Sequence, residues 1–259
     1  HGITHVHHFY TRRNLWVLAT FNSKCYSVER FTHRLMFLLT GVRTFSSKNT
    51  KMQVDKFFKG GQFISYVAGT LYVPSLSIEN NPIRGLSNRL KSVTKVFLSF
   101  SEGSPLLRVL TGSLERSLIP SNSTDYIFTD PPFGGNLMYS ELNFLWEAWL
   151  RVFTNNKPEA VENKAQGKGP REYQELMEKC FAEYYRVLKP GRWMTVVFHN
   201  SQNRIWNAIQ EAILRAGFVI ADVRTLDKKQ GTFKQVTSTT AVKQDLVISA
   251  YKPNGGLEK

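Results

Sequence analysis

The segment Thr124-Asp125-Tyr126-Ile127-Phe128-Thr129-Asp130-Pro131-Pro132-Phe133-Gly134-Gly135-Asn136 joins an apolar, β-branched and aromatic run to an acid and two prolines. The run 126–129 has the composition of a buried parallel strand, and the prolines stop it. Proline fixes its own φ, lacks an amide hydrogen and biases the residue before it towards an extended conformation. Asp130 and Pro131 are therefore expected to stand rigidly at the C-terminal edge of the strand. The Asp130 carboxylate and the Pro131 carbonyl can then accept hydrogen bonds at one spot. Phe133 offers a flat apolar face beside them, and Gly134-Gly135 lets a ligand approach the main chain. A planar base with an exocyclic amine is the complement of such a corner. An acid before two prolines is also an ordinary turn device, so the pattern needs its surroundings.

Downstream, residues 139–153 carry a helical apolar stripe of Leu142, Leu145, Trp146, Trp149, Leu150 and Phe153, with both tryptophans read as core. Residues 155–170 hold Lys157, Lys164 and Lys168 among glycines and prolines. They read as a flexible basic loop that can close over substrate or clamp DNA, with Lys164 and Lys168 as its contacts. A helix over 171–188 ends at Lys189-Pro190-Gly191, and 193–198 forms the next buried strand. His199 follows on the same edge as Asp130, where open α/β sheets hold their ligands; it is either a substrate contact or a strand-end histidine bonded to the backbone. Then come a helix over 205–216 stopped by Gly217, a strand over 218–225, a long loop and a last strand over 246–251. That loop offers Lys228, Lys229, Lys234 and Lys243 to phosphates.

Asp-Pro-Pro-Phe at a strand end resembles the catalytic motif of the amino-methyltransferases, which use S-adenosylmethionine to methylate adenine N6 or cytosine N4 in DNA. Tyr139-Ser140-Glu141-Leu142 and Val187-Leu188-Lys189-Pro190-Gly191 resemble segments of the same enzymes. The resemblance implies an α/β fold, a Rossmann-like methyltransferase sheet that is parallel except for an antiparallel last strand. It also implies roles. Asp130 and Pro131 would accept from the amine, Pro132 would complete the motif and Phe133 would stack on a base rotated out of the duplex. Asp130 and Gly134 would lie by the cofactor, and Asn136 and His199 by the substrate. An acid at the first position resembles the adenine-N6 subtype, since the cytosine-N4 subtype usually has serine there.

The front of the chain matches more loosely. Tyr10-Thr11 resembles the aromatic-Thr phrase that lies beside the methionine end of the cofactor, while Thr11 is equally a plain N-cap for a helix to about residue 24. Residues 29–59 interleave cations with phenylalanines. Strands are expected over 63–67 and 70–73, and Arg84, Arg89, Lys91 and Lys95 form a second basic patch. A strand over 106–110 leads to Ser113, either a contact for the cofactor's adenine or a helix cap. Residues 1–100 are thus expected to be a helical, basic insertion or target-recognition region, and 101–254 the catalytic part. Family members hold the cofactor with a Phe-x-Gly-x-Gly turn, which neither Val67-Ala68-Gly69 nor Leu110-Thr111-Gly112 reproduces. With His1 in place of Met, this points to a removed amino-terminal portion, a partner chain that completes the cofactor site, or a catalytically incomplete relative. The fragment alone need not be active.

Thirty-four basic against twenty acidic residues leave a net charge of +14, which favours a polyanionic partner, nucleic acid, over a merely solvated basic surface or the basic half of a larger protein; the resemblance implies that this partner is DNA. Two cysteines without a C-x-x-C partner argue neither a disulfide framework nor zinc, and fit the cytoplasm. His5, His7 and His8 read as surface or packing residues, so no metal is expected. No run is long and apolar enough to span a membrane. The rival substrates and roles are RNA and a non-catalytic nucleic-acid-binding module.

Overall fold

The structure, a computed structural model, describes residues 3–61, 64–66, 71–99, 109, 112–135, 137–199, 203–227 and 244–256. The chain forms two compact units, residues 1–108 with 139–154, and residues 109–138 with 155–259. Of the expected strand over 106–110 only Val109 is described, exposed and in no strand, and the turn at Ala68-Gly69 and the loop lysines 228, 229, 234 and 243 lie outside the described residues.

The first unit is helical. Helix α1 (Arg12–Ser27) starts at Thr11, whose hydroxyl accepts from the Asn14 amide as an N-cap should. Helix α2 (Thr32–Val42) packs on it. A small hairpin of β1 (Thr50–Met52) and β2 (Ile64–Tyr66) brackets the short α3 (Val54–Phe58). Helix α4 (Pro82–Ser99) and, from later in the chain, α5 (Tyr139–Leu150) complete the unit. Leu18, Cys25, Met36, Leu39, Val42 and Leu145 form its core. Trp146 is not the core residue its spacing suggested: it is more than a third exposed, because its ring is the platform for the buried Arg43 guanidinium, 3.4 Å from the ring centroid. Burial pushes the Arg43 pKa down to about 10.

Among the described residues the second unit is a mixed α/β sandwich of one sheet and two α-helices. Strand β3 (Thr124–Thr129) leads into the Pro-Pro segment. Helix α6 (Pro170–Val187) begins with Pro170 at its first position and Glu172 accepting from the Gly169 amide at 2.8 Å. Its apolar stripe, Tyr173, Met177 and Phe181, recurs every four residues and faces the sheet. Then follow β4 (Leu188–Phe198), α7 (Asn203–Arg215), β5 (Val219–Asp227) and β6 (Gln244–Tyr251). The strand order is β3-β4-β6-β5. Strands β3 and β4 run parallel, with Tyr126 opposite Trp193 and Thr129 opposite Val196, and β6 is antiparallel to both of its neighbours.

The expectation of a buried β3 fails except at Ile127. Both helices cover the same face, burying Ile127, Met194, Val196, Phe198, Ile248 and Ala250. On the other face Tyr126, Phe128 and Trp193 are 53%, 65% and 46% exposed. Among the described residues β3 has β4 as its sole strand partner, so its hydrophobic composition reflects a sheet position that is only half covered. The loop over 155–170 is also more ordered than its composition suggested. Val161 is fully buried, Asn163 and Lys168 form a bridge, and the Asn163 side chain accepts from the amides of Ala165 and Gln166.

The lead-in to β3 is tied to the end of α6 by charge. Glu183 accepts from Arg186 at 2.6 Å and from the Ser117 amide at 2.7 Å, and Arg186 also donates to the Ile119 carbonyl. The Arg186 hydrogen bond is the main cause that draws the Glu183 pKa from 4.5 to about 2. A depressed carboxylate stabilises the fold fully above its unfolded value, and that contribution is lost as pH falls through the folded value. Thermal melting from pH 7 downwards should therefore show a stability loss that begins near pH 4.5 and continues as the pH falls through about 2. Glu183→Gln should flatten that limb while lowering the melting temperature at pH 7.

Candidate active site

Asp130 is the first residue beyond β3 and is exposed. The chain turns inward immediately after it: Pro131 is buried and Pro132 half-buried, with the Pro132 carbonyl accepting a 2.6 Å hydrogen bond from the Tyr173 phenol of α6. That bond orients the whole Pro-Pro segment, because a proline pair leaves few free torsions between its carbonyls. Phe133 is half-buried. Its ring meets Phe198 edge to face at a centroid distance of 5.2 Å, and the His199 ring lies 6.2 Å away. Gly134 has φ +65°, a conformation costly for any side chain. Gly135 then approaches the Glu162 carbonyl so closely that an added Cβ would sit 3.3 Å from it.

His199 stands at the end of β4, three positions past the partner of Thr129, which puts it on the same sheet edge as Asp130. Its Nδ1 lies 2.9 Å from an oxygen of Asp245, which is 3% exposed at the start of β6. The histidine thus faces a buried carboxylate. Lys164 is exposed at the head of a 3-10 turn (Lys164–Gln166). Lys168 points the other way: its ammonium donates to the carbonyls of Glu159 and Asn156, so it ties the loop together instead of facing outward. Ser113 is exposed and accepts from the Glu115 amide in a turn that no helix follows. Asn136 and Lys234 lie outside the described residues.

Tyr10 and Thr11 belong to the first unit, where both hydroxyls are engaged. Tyr10 is buried and accepts from the Trp149 indole at 2.9 Å, and Thr11 donates to Glu79 at 2.6 Å in addition to capping α1. The residues that sequence reasoning missed are Tyr173, Asp245 and Glu162. Tyr173 shows up as part of the α6 stripe, but nothing in the sequence assigns its phenol to Pro132. Asp245 is a lone acid ahead of an apolar run, and only the β4–β6 register reveals its partner. Among the described residues no three or more His, Cys, Asp or Glu side chains gather as metal ligands, and no helix is long and apolar enough to cross a membrane. Cys25 and Cys180 are free thiols, and burial pushes Cys180 up to about 11.

A family model described as DNA methylase, of the N6/N4 class, matches residues 124–254, from the first residue of β3 to just past β6. The chain belongs to the N6/N4 DNA methylase family. The matched half covers most of the second unit together with residues 139–154 of the first, and it includes the Asp130–Phe133 turn. No curated protein matches the chain. Among solved structures it is similar to TTHA0409 of Thermus thermophilus, a provisional DNA modification methylase, at 17% identity over 53% of this chain and 48% of that one, TM-score 0.32. It is also similar to M1.HpyAVI, solved with S-adenosylmethionine, at 17% identity over 52% and 46%, TM-score 0.29. A third is an S-adenosylmethionine-dependent methyltransferase of Methanosarcina mazei, at 12% identity over 64% and 78%, TM-score 0.33. The chain spans about half the length of the first two of these proteins.

The phenol–carbonyl bond sets the geometry of this methylase turn without occupying it. Tyr173→Phe should lower stability by about 1 kcal/mol in urea denaturation, the ordinary worth of one such bond. Gly134→Ala should cost at least as much through its positive φ.

Proposed function

We propose that this chain is the catalytic portion of an adenine-N6 DNA methyltransferase that uses S-adenosylmethionine. The observation that carries the reading is the turn itself: an exposed acid at the C-terminal end of β3, followed by a proline carbonyl pinned by Tyr173 and a phenylalanine braced by Phe198. Asp130 and the Pro131 carbonyl accept the two amine hydrogens of a base turned out of the duplex. Holding both hydrogens draws the nitrogen lone pair out of conjugation with the ring and leaves it directed away from the acceptors. Phe133 stacks on the base and replaces the neighbours it had in the helix. As the new N–C bond forms, one amine proton becomes acidic, and the exposed Asp130 holds it until solvent removes it. Asp130 rather than serine at the head of the motif favours adenine over cytosine.

S-Adenosylmethionine, when bound, supplies a methyl group on a sulfonium for direct displacement. Asp130 and the left-handed Gly134 fit its methyl-bearing end. Among the described residues no Phe-x-Gly-x-Gly turn follows a strand to hold the adenosine end, and both hydroxyls of Tyr10 and Thr11 are already bonded. The reading therefore has another polypeptide segment, or a partner chain, complete the cofactor site. The uncovered sheet face and open edge of β3 support that supply. Lys164 is proposed as a phosphate contact, as are, on sequence alone, the lysines of 228–243, and His199, beside Asp245, is proposed as a wall of the base pocket.

The test is transfer of labelled methyl from S-adenosylmethionine to DNA by the chain together with the polypeptide that supplies the glycine turn. Asp130→Ala should cut the rate by about two orders of magnitude or more, as loss of a preorganised charge partner does elsewhere. An undiminished rate in that variant ends the assignment. Label recovered in N4-methylcytosine, or in RNA in preference to DNA, would move the substrate accordingly.

A further inference from the structure

The excess positive charge is not spread evenly. The first compact unit holds sixteen lysines and arginines against six acids, and the second holds eighteen against fourteen. Within the first unit α4 carries four cations and no acid. Arg89 is committed to packing: its guanidinium lies 5.5 Å from the Phe37 ring centroid, and its Nε would stand 2.8 Å from a Cβ on Gly41. At the same crossing Gly85 lets Val42 come within 3.4 Å of where a side chain would begin. These two contacts fix the rotation of α4 about its axis against α2.

With that face set by Pro82, Gly85, Leu86 and Val93, the other three cations fall on the opposite side. Arg84, Asn88, Lys91 and Lys95 recur at i, i+4, i+7 and i+11, a single stripe, and all four are exposed. Solvated helix faces usually interleave acids at such spacings, which neutralise the row. Here none does, and no ion pair among the described residues reaches Arg84, Lys91 or Lys95. The row spans about 16 Å at 1.5 Å per residue.

We propose that this face of α4 docks on the phosphate backbone of duplex DNA; the inference rests on the DNA-methyltransferase reading and deepens it by naming where the first unit holds the duplex. A straight, rigid row of cations is complementary to a partner that is itself rigid on this scale. Duplex DNA presents about one charge per 1.7 Å of axis and bends only over roughly 50 nm. A flexible single strand would first have to be ordered along the row. Asn88 adds a neutral donor between the cations. Such contacts fix orientation and carry no base information, so the stripe positions the duplex while the turn after β3 acts on one base.

The test is fluorescence anisotropy of the full 259-residue chain with a labelled duplex of about 20 base pairs, titrated between roughly 50 and 200 mM salt. The variant Arg84→Gln/Lys91→Gln/Lys95→Gln is compared with Arg171→Gln/Lys179→Gln/Arg215→Gln, which removes the same charge from the second unit. The α4 variant should bind at least about tenfold more weakly, with a salt slope reduced by about 2 to 3, and the control should change less than about twofold. Equal losses in both would reduce the effect to net charge and overturn the proposal. So would a single-stranded RNA of the same length that competes better than the duplex. Circular dichroism and melting establish that the variants are folded. Lys91→Glu, a single exposed change, should weaken binding severalfold and decides the matter if the triple variant does not fold. Wild-type protein that binds no duplex overturns the DNA-methyltransferase reading along with the inference. Wild-type binding that the α4 variant retains in full overturns the inference alone.

Discussion

The ammonium of Lys252 sits where the lead-in to β3, the end of α6 and the starts and ends of the central strands converge. It is 8% exposed and donates to the Asn122 side chain at 2.7 Å, the Tyr185 carbonyl at 2.7 Å and the Leu188 carbonyl at 2.9 Å. Taking a cation out of water costs several kcal/mol unless its protons are met, and here three acceptors from three parts of the chain meet them. Burial lowers the pKa of this lysine, and the Tyr185 ring, 4.5 Å away, offers its π face to the charge. The backbone adds to the same knot: the amides of Asn122 and Ser123 donate to Arg186 and Val187, and Gly191 donates to Lys252 itself. The start of β3 is therefore fixed with respect to β4 and β6. Because the strand is only six residues long, its far end, where Asp130 stands, inherits that placement.

From that anchored strand the chemistry of the edge follows by register. Thr129 pairs with Val196 in parallel, so the residues just beyond β3 and β4 emerge on one side of the sheet, and Phe133 folds back onto Phe198 and towards His199. Strand β6 runs antiparallel between β4 and β5, which brings its first residues to this same edge. Phe198 lies opposite Leu246, and the preceding Asp245 reaches His199. A strand inserted parallel to its neighbours would have carried Asp245 to the opposite end of the sheet. The mixed topology is thus what assembles a proline-rich turn, an aromatic ring and a His–Asp pair from three separate segments.

Much of this was legible in the sequence because it depends on local rules. The Thr11 cap, the helix closed by Lys189-Pro190-Gly191 and the strand ended by Pro131-Pro132 follow from proline, glycine and capping chemistry. The structure places each within a few residues of its expected position. What was not legible depends on which faces are covered. Tyr126 and Phe128 have the composition of a core strand, but composition does not record that both helices lie on the other face. Trp146 has core spacing, yet it packs against a buried guanidinium from a distant helix end. Lys168 belongs to a basic loop by sequence and to the loop's interior by geometry. A lysine reads as solvated until backbone carbonyls are found around its ammonium.

An ordinary proline turn would satisfy the backbone and leave its side chains to solvent. This one is built at some cost. Asp245 is a carboxylate almost wholly removed from water, which is unfavourable by several kcal/mol unless an opposite charge or strong donor meets it, and its Oδ1 faces the His199 ring nitrogen at 2.9 Å. Gly134 adopts a left-handed conformation, and Glu162, against whose backbone Gly135 packs, holds one carboxylate oxygen buried and unbonded while the other reaches Arg204 at 3.3 Å. An uncompensated buried oxygen costs about 1 to 3 kcal/mol. A surface turn on a sheet edge needs none of these for folding, since Tyr173 and the prolines already hold its path. The Gly134 conformation and the buried carboxylate of Asp245 thus flank the turn at one end of the sheet, as the buried Lys252 ammonium does at the other.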